Sequence, residues 1–207
     1  MPAAPTATAT ATATAVATPA AGISVTTATQ TFDPALLLRA QAVRIVFFDV
    51  DGVLTDGGLH FSEAGETLKR FNVLDGQGFK MLQRAGIHIA VVTGRDSAPL
   101  RTRLTALGVT HAVYGTEDKL PAANKLLAQL GLDWSQAAAM GDDWPDLPLL
   151  ARAALACAPA NAHAENIAIA HFTTHLRGGH GAARQLCDLV LAAQGHYARQ
   201  LAQLLTV

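Results

Sequence analysis

Asp49 and Asp51 stand one residue apart at the end of an apolar run, Phe47-Phe48-Asp49-Val50-Asp51-Gly52-Val53-Leu54-Thr55. Two solvated aspartates in an ordinary turn would be unremarkable, but this pair follows a buried-strand pattern, and a turn there sets both carboxylates around one small volume. At about 4 Å and an effective dielectric near 20, such a like-charged pair costs about 4 kcal/mol, so a fold that keeps it needs a cation or a shared proton. Three further polar clusters end later apolar runs: Thr93-Gly94-Arg95, Asp118-Lys119, and Gly141-Asp142-Asp143 with Asp146 close behind. Each alone is commonplace, as a turn, a solvated lysine or a helix cap. Together and in this order they fit phosphoryl transfer through an aspartyl phosphate. In that chemistry Asp49 attacks phosphorus, and Asp51 protonates the leaving alkoxide and then takes a proton from water. Thr93 presents a hydroxyl and backbone N–H groups to phosphate oxygens, and Lys119 supplies a point charge. A hard cation with oxygen ligands, Mg²⁺, completes the set through Asp49, the main-chain carbonyl of Asp51 and Asp142. Asp143 and Asp146 support its waters or Lys119 from behind.

Elements that deliver these residues are visible as alternating patterns. Short apolar runs at 44–48, 87–92, 112–114, 137–140, 154–157 and, more weakly, 171–173 read as strands. Helical patterns fall between them at 76–85, 97–107, 119–131 and 144–152, and this alternation predicts a doubly wound, Rossmann-like α/β sheet with a parallel core. Residues 57–71 break the rhythm, alternating about Glu63-Ala64-Gly65-Glu66 as a β-hairpin does. A short helix over 34–41 opens on Asp33 as N-cap with Pro34 in its first turn.

Composition bounds the class of function. Residues 1–32 are almost wholly Ala, Thr and Pro and read as a disordered tail, leaving 33–207 as one catalytic domain. The tail carries neither the basic start nor the leucine-rich stretch of a secretory signal, and no run of the chain is apolar enough for a membrane span. A net charge of −1 provides no basic stripe for nucleic acid and no polybasic membrane patch, which favours a small-molecule partner. Cys157 and Cys187 lack metal-type spacing and read as free core thiols of a reducing cytoplasm.

Asp49-Val50-Asp51-Gly52-Val53-Leu54-Thr55-Asp56-Gly57, Thr93-Gly94-Arg95, Asp118-Lys119 and Gly141-Asp142-Asp143 with Asp146 resemble, in order, the four motifs of the haloacid dehalogenase-like phosphatases. The stretches 65–78 and Arg177-Gly178-Gly179-His180-Gly181-Ala182-Ala183-Arg184 are similar to the branch of that family acting on 3-deoxy-D-manno-octulosonate 8-phosphate (Kdo 8-phosphate). The resemblance implies Mg²⁺-dependent release of Kdo for lipopolysaccharide precursors, and a homotetramer. It also implies substrate contacts from Thr93, Gly94, Arg95, Lys119, Arg177, His180 and Arg184, with Arg95 suited to a sugar carboxylate. A phosphatase of a nine-carbon sugar acid, Kdn or sialic acid 9-phosphate, and a catalytically silent scaffold are the alternatives. The latter should have lost one of Asp49, Asp51, Lys119 or Asp142.

Spacing adds an expectation of its own. The first gap holds only a hairpin and a helix, and the gap from Thr93 to Lys119 holds one helix and one strand, so no cap domain fits. An uncapped site is open to water. A neighbouring subunit is therefore expected to complete it, with the hairpin and residues 177–184 lying over that neighbour's pocket. Lys69 and Arg70 on the hairpin are expected to be solvated.

Overall fold

The computed structural model describes residues 30–205. Eight strands and eight α-helices follow the predicted alternation closely. Strands β1 (Ile45–Phe48), β4 (His88–Val92), β5 (His111–Val113), β6 (Ala137–Met140), β7 (Leu155–Ala158) and β8 (Phe172–Thr173) form one parallel sheet in the order β5-β4-β1-β6-β7-β8. The remaining two, β2 (His60–Ser62) and β3 (Gly65–Leu68), pair antiparallel as a separate hairpin. No cap domain interrupts the described chain between the motif-bearing strands.

β1 shows how the sequence builds the layers. Successive side chains of a strand face opposite ways, and all four residues of β1 are buried, so both faces must be covered. Val46 and Phe48 pack toward α2 (Val73–Arg84), α3 (Ala98–Ala106) and α7 (Ala182–Ala193), while Ile45 and Phe47 pack toward α4 (Lys119–Leu130) and α5 (Leu147–Leu150). Alanines 137–139 of β6 keep the sheet thin beside Phe47, which meets the Trp134 ring at 5.7 Å between centroids. Strand order reverses at β1, whose neighbours are β4 on one side and β6 on the other. Such a switch point opens a crevice at the carboxyl ends of the strands, where Asp49, Thr93 and Asp142 all emerge.

Three differences from the sequence reading matter. First, α7 and α8 (His196–Leu205) follow the glycine-rich segment, beyond the last helical stretch expected, and α7 is buried along much of its length. Second, most of the expected tail, residues 1–29, lies outside the described residues, but Phe32 stands edge-on to Phe172 at 6.1 Å and Gln30 Nε2 donates to Asp188 Oδ2, so packing begins before the expected boundary. Third, the helix expected from 144 starts as a 3₁₀ turn, Trp144–Asp146, before α5, with Pro145 and Pro148 in the first turns of the two segments. α1 (Pro34–Ala40) starts as read, its Asp33 side chain accepting from the Ala35 N–H at 2.7 Å. Cys157 and Cys187 are buried free thiols.

Candidate active site

β1 ends at Phe48, and the chain turns at once: the N–H groups of Leu54 and Thr55 both donate to the Val50 carbonyl, at 2.9 and 3.0 Å. This turn buries Asp49 and leaves Asp51 partly open. Gly52 sits at φ +96°, a conformation that costs glycine little, and a Cβ there would overlap the Asp142 carboxylate arriving from the end of β6. The loop after β1 therefore touches the loop after β6 only because residue 52 has no side chain.

Lys119, the first residue of α4, is buried and places Nζ 2.5 Å from Asp49 Oδ1 and 2.6 Å from Asp146 Oδ1. Asp146 Oδ2 accepts the N–H groups of Asp142 and Asp143, at 3.1 and 3.4 Å, and so fixes the loop that carries Asp142. Carboxylate oxygens of Asp49, Asp142 and Asp146 lie within 4.8 Å of one another. Burial, reinforced by Asp146, pushes the Asp49 carboxyl up to about 7 against the pull of Lys119. Burial again, with Asp49 and Asp146, pushes Asp142 up to about 8. Burial works to lower Lys119, yet Asp49 and Asp146 outweigh it and hold the ammonium above its ordinary value. One lysine thus faces three carboxyls, and the shortage of positive charge is what a divalent cation relieves.

Thr93 follows β4, buried, with its Oγ1 accepting the Arg95 N–H at 3.3 Å. Gly94 stands exposed beside it at the rim. Arg95 approaches Asp51 Oδ2 at 3.8 Å and Glu66 Oε2 at 3.6 Å, with its guanidinium over the Phe61 ring.

The chain matches the family model described as haloacid dehalogenase-like hydrolase over residues 113–186. It is 43% identical over 159 residues to the 3-deoxy-D-manno-octulosonate 8-phosphate phosphatase of Yersinia pestis, a match covering 77% of this chain and 85% of that one. The chain belongs to this phosphatase family. Its fold agrees with that of a probable YrbI family phosphatase from Pseudomonas syringae, with a TM-score of 0.82 and 46% identity over 84% of this chain and 98% of that one. The 3-deoxy-D-manno-octulosonate 8-phosphate phosphatase of Moraxella catarrhalis, solved with magnesium, phosphate and KDO, gives a TM-score of 0.79 at 35% identity, covering 82% and 97% of the two chains.

Within this haloacid dehalogenase-like frame, Asp49, Lys119, Asp142 and Asp146 are gathered into one cluster, with Asp51, Thr93, Gly94 and Arg95 at its mouth. Asp143 is not part of the cluster: its carboxylate caps the 3₁₀ turn, accepting the Trp144 N–H at 2.8 Å. Arg184 is also placed elsewhere. Its Nε pairs with Asp188 Oδ1 at 2.6 Å on the same face of α7, because the residue lies one turn inside the helix against α2.

The hairpin corrects a further expectation. Lys69 is buried, not solvated; its Nζ contacts Asp51 Oδ1 and stands 2.5 Å from Glu66 Oε1. Glu66 and Lys69 are thus site residues that sequence reasoning missed. Their spacing on a predicted strand gives no warning that the hairpin folds back onto the turn carrying Asp51. Arg70, half-exposed, reaches Asp56 Oδ2 at 3.1 Å and His180 Nε2 at 2.9 Å. Since a guanidinium only donates, His180 accepts there through Nε2 and donates from Nδ1 to the Gly178 carbonyl, 2.8 Å away. Residues 178 and 179 rest on this chain's own loop: the Gly179 N–H donates to the Val53 carbonyl at 2.9 Å, and a Cβ at Gly178 would overlap the Gly52 carbonyl. Arg177 is exposed beside them.

Proposed function

We propose that the chain is a Mg²⁺-dependent phosphomonoesterase that converts 3-deoxy-D-manno-octulosonate 8-phosphate to Kdo and phosphate. The observation that carries the reading is the buried cluster of Asp49, Asp142 and Asp146 around the single ammonium of Lys119, with Asp51 one turn away. Asp49 and the partly open Asp142 supply hard oxygen donors in need of positive charge, and with the Asp51 carbonyl they would hold Mg²⁺. When bound, the ion neutralises the carboxylates and the incoming phosphate, so that two groups of like sign can meet.

The chain's own residues do the rest. Asp49 forms the bond to phosphorus, Lys119 holding its Oδ1 so that the carboxylate is oriented before substrate arrives. The bond from phosphorus to the C8 oxygen breaks, and Asp51 delivers its proton to that oxygen. Asp51 then takes a proton from water, the new hydroxide attacks phosphorus, and Asp49 leaves with phosphate released. The Thr93 hydroxyl and the neighbouring backbone N–H groups steady the phosphoryl oxygens in both steps. The sugar acid's carboxylate is assigned to Arg95, partly exposed at the mouth, with the exposed Arg177 further out.

A cytoplasmic homotetramer is the assembly that fits. The hairpin leaves Leu59, Phe61 and Leu68 exposed at 45%, 63% and 59%, a two-stranded ribbon with little buried surface of its own. Among the described residues no helix is long and apolar enough to cross a membrane. The deciding experiment is phosphate release from Kdo 8-phosphate with Mg²⁺, with and without chelator, for the protein and for Asp49→Asn. Metal-independent turnover, an active Asp49→Asn protein, or a higher kcat/KM for a nine-carbon sugar acid 9-phosphate would each overturn the corresponding part of the assignment.

A further inference from the structure

Residues 175–181 form a strap across the loop that follows Asp51, and the strap is held down by side chains with no place in the chemistry. At its start the Oε1 of Gln185 accepts the N–H groups of His175 and Leu176, at 2.9 and 3.1 Å. In the middle, Asn161, in the loop after β7, accepts the Gly178 N–H through Oδ1 at 2.8 Å. Just beyond its end Asp75, buried in α2, accepts the Arg184 N–H at 2.8 Å, capping the first turn of α7 from outside the helix. Between these staples the strap presses on the backbone of residues 52–56.

We propose that Asp75 and Asn161 are positioning residues for Asp51: Asn161 holds the middle of the strap and Asp75 the first turn of α7 into which it runs, and together they keep the loop after Asp51 closed down, so that its carboxylate meets the leaving-group oxygen. The inference rests on the acid/base role given to Asp51 above. The two come from different elements, α2 and the β7–α6 loop (α6 spans Ala164–Ile169). Asp75 is negatively charged in the working protein, since burial raises its carboxyl only to about 6 in the company of Arg103 and Arg184. Its charge strengthens the Arg184 N–H bond it accepts.

Leaving groups provide the test. An alkoxide must be protonated as it departs, whereas p-nitrophenolate departs without help, so a misplaced general acid slows the sugar ester and spares the aryl ester. Release of Kdo and of p-nitrophenolate in the first turnover is measured at pH 8 with Mg²⁺ for the full chain, Asn161→Ala and Asp75→Asn. The expected result is a loss on the order of tenfold for Kdo release, within the roughly 10²–10⁴-fold that acid–base catalysis contributes, and less than about threefold for p-nitrophenolate. Asn161 is exposed, so its variant decides the matter even if Asp75→Asn fails to fold. Equal slowing of both esters, or no change in Asn161→Ala, overturns the positioning role. A wild-type chain inert toward both esters overturns the functional reading itself, and the positioning role with it.

Discussion

Asp142→Asn should stabilise the metal-free protein while removing its response to metal. In the unfolded chain Asp142 ionises near 3.8, whereas in the folded protein it holds its proton up to about 8. The folded state therefore binds the extra proton, and stability falls as pH rises through that window, by ~1.4 kcal/mol per pH unit. The full gap of about four units sets a ceiling of about 5 kcal/mol for this one group. Coulomb's law gives a similar scale. With oxygens within 4.8 Å of one another and an effective dielectric near 20, each charged neighbour contributes about 3.5 kcal/mol, partly offset by Lys119. Asp142 keeps some contact with water, so about 3 kcal/mol is the working figure near pH 8. Asparagine has the shape without the charge. In chelator, Asp142→Asn should exceed wild type by about 3 kcal/mol at pH 8 and match it at pH 4. Other titrating groups, Asp75 and His111 among them, are common to both proteins and largely cancel. Urea unfolding read by the fluorescence of Trp134, which packs on Phe47, supplies the measurement. Adding Mg²⁺ at a hundredfold its Kd should raise wild type by about 2.7 kcal/mol and the variant by far less. A variant less stable than wild type in chelator at pH 8, or a difference that does not change with pH, would refute the electrostatic reasoning.

Gly178→Ala should cost about 1–3 kcal/mol, read by thermal unfolding, because its Cβ would strike a backbone carbonyl rather than a movable side chain. Lys69→Met removes a buried cation from between Asp51 and Glu66 and should cost about 3 kcal/mol in urea unfolding, with Glu66→Gln added to the same protein restoring part of the loss. Truncation to Gln30 should leave kinetics and stability unchanged, while truncation through Phe32 should lower the melting temperature by removing the contact with Phe172. Equal melting temperatures for the two truncations would show that Phe32 contributes nothing.

Much of this was legible in the residues because the chemistry sits at strand ends. Apolar runs announce β1, β4 and β6, and the polar residue that ends each is delivered to the same edge of a parallel sheet wherever the helices lie. Long-range pairing was not legible. Lys69 looks solvated in sequence, since nothing local says that β3 folds back over Asp51, and Arg184 looks like an anion ligand until α7 turns it against Asp188. The glycines at 178 and 179 suggest a tail, yet their missing side chains are what allow close contact with residues 52–56 of the same chain. α7 carries its own amphipathic signal, Arg184, Gln185 and Asp188 on one face and apolar residues over the rest, so its pattern lies in the sequence itself.

The hairpin has a consequence for the order in which the molecule opens. All of β2 is exposed and β3 is at most half-buried, while the root is tied to the body by Lys69, Arg70 and Arg95 pairing with Asp51, Asp56 and Glu66. The more exposed of these pairs, those of Arg70 and Arg95, weaken in salt, and segments with few buried apolar contacts open at free energies far below global unfolding. Amide hydrogens of β2 and β3 in the isolated subunit should therefore exchange early and faster in salt, while those of β1 wait for the whole sheet to come apart. Each such opening parts Asp51 from Lys69 and leaves it beside Arg95 alone, so the flutter of a two-stranded ribbon sets how many cations the acid/base carboxylate faces.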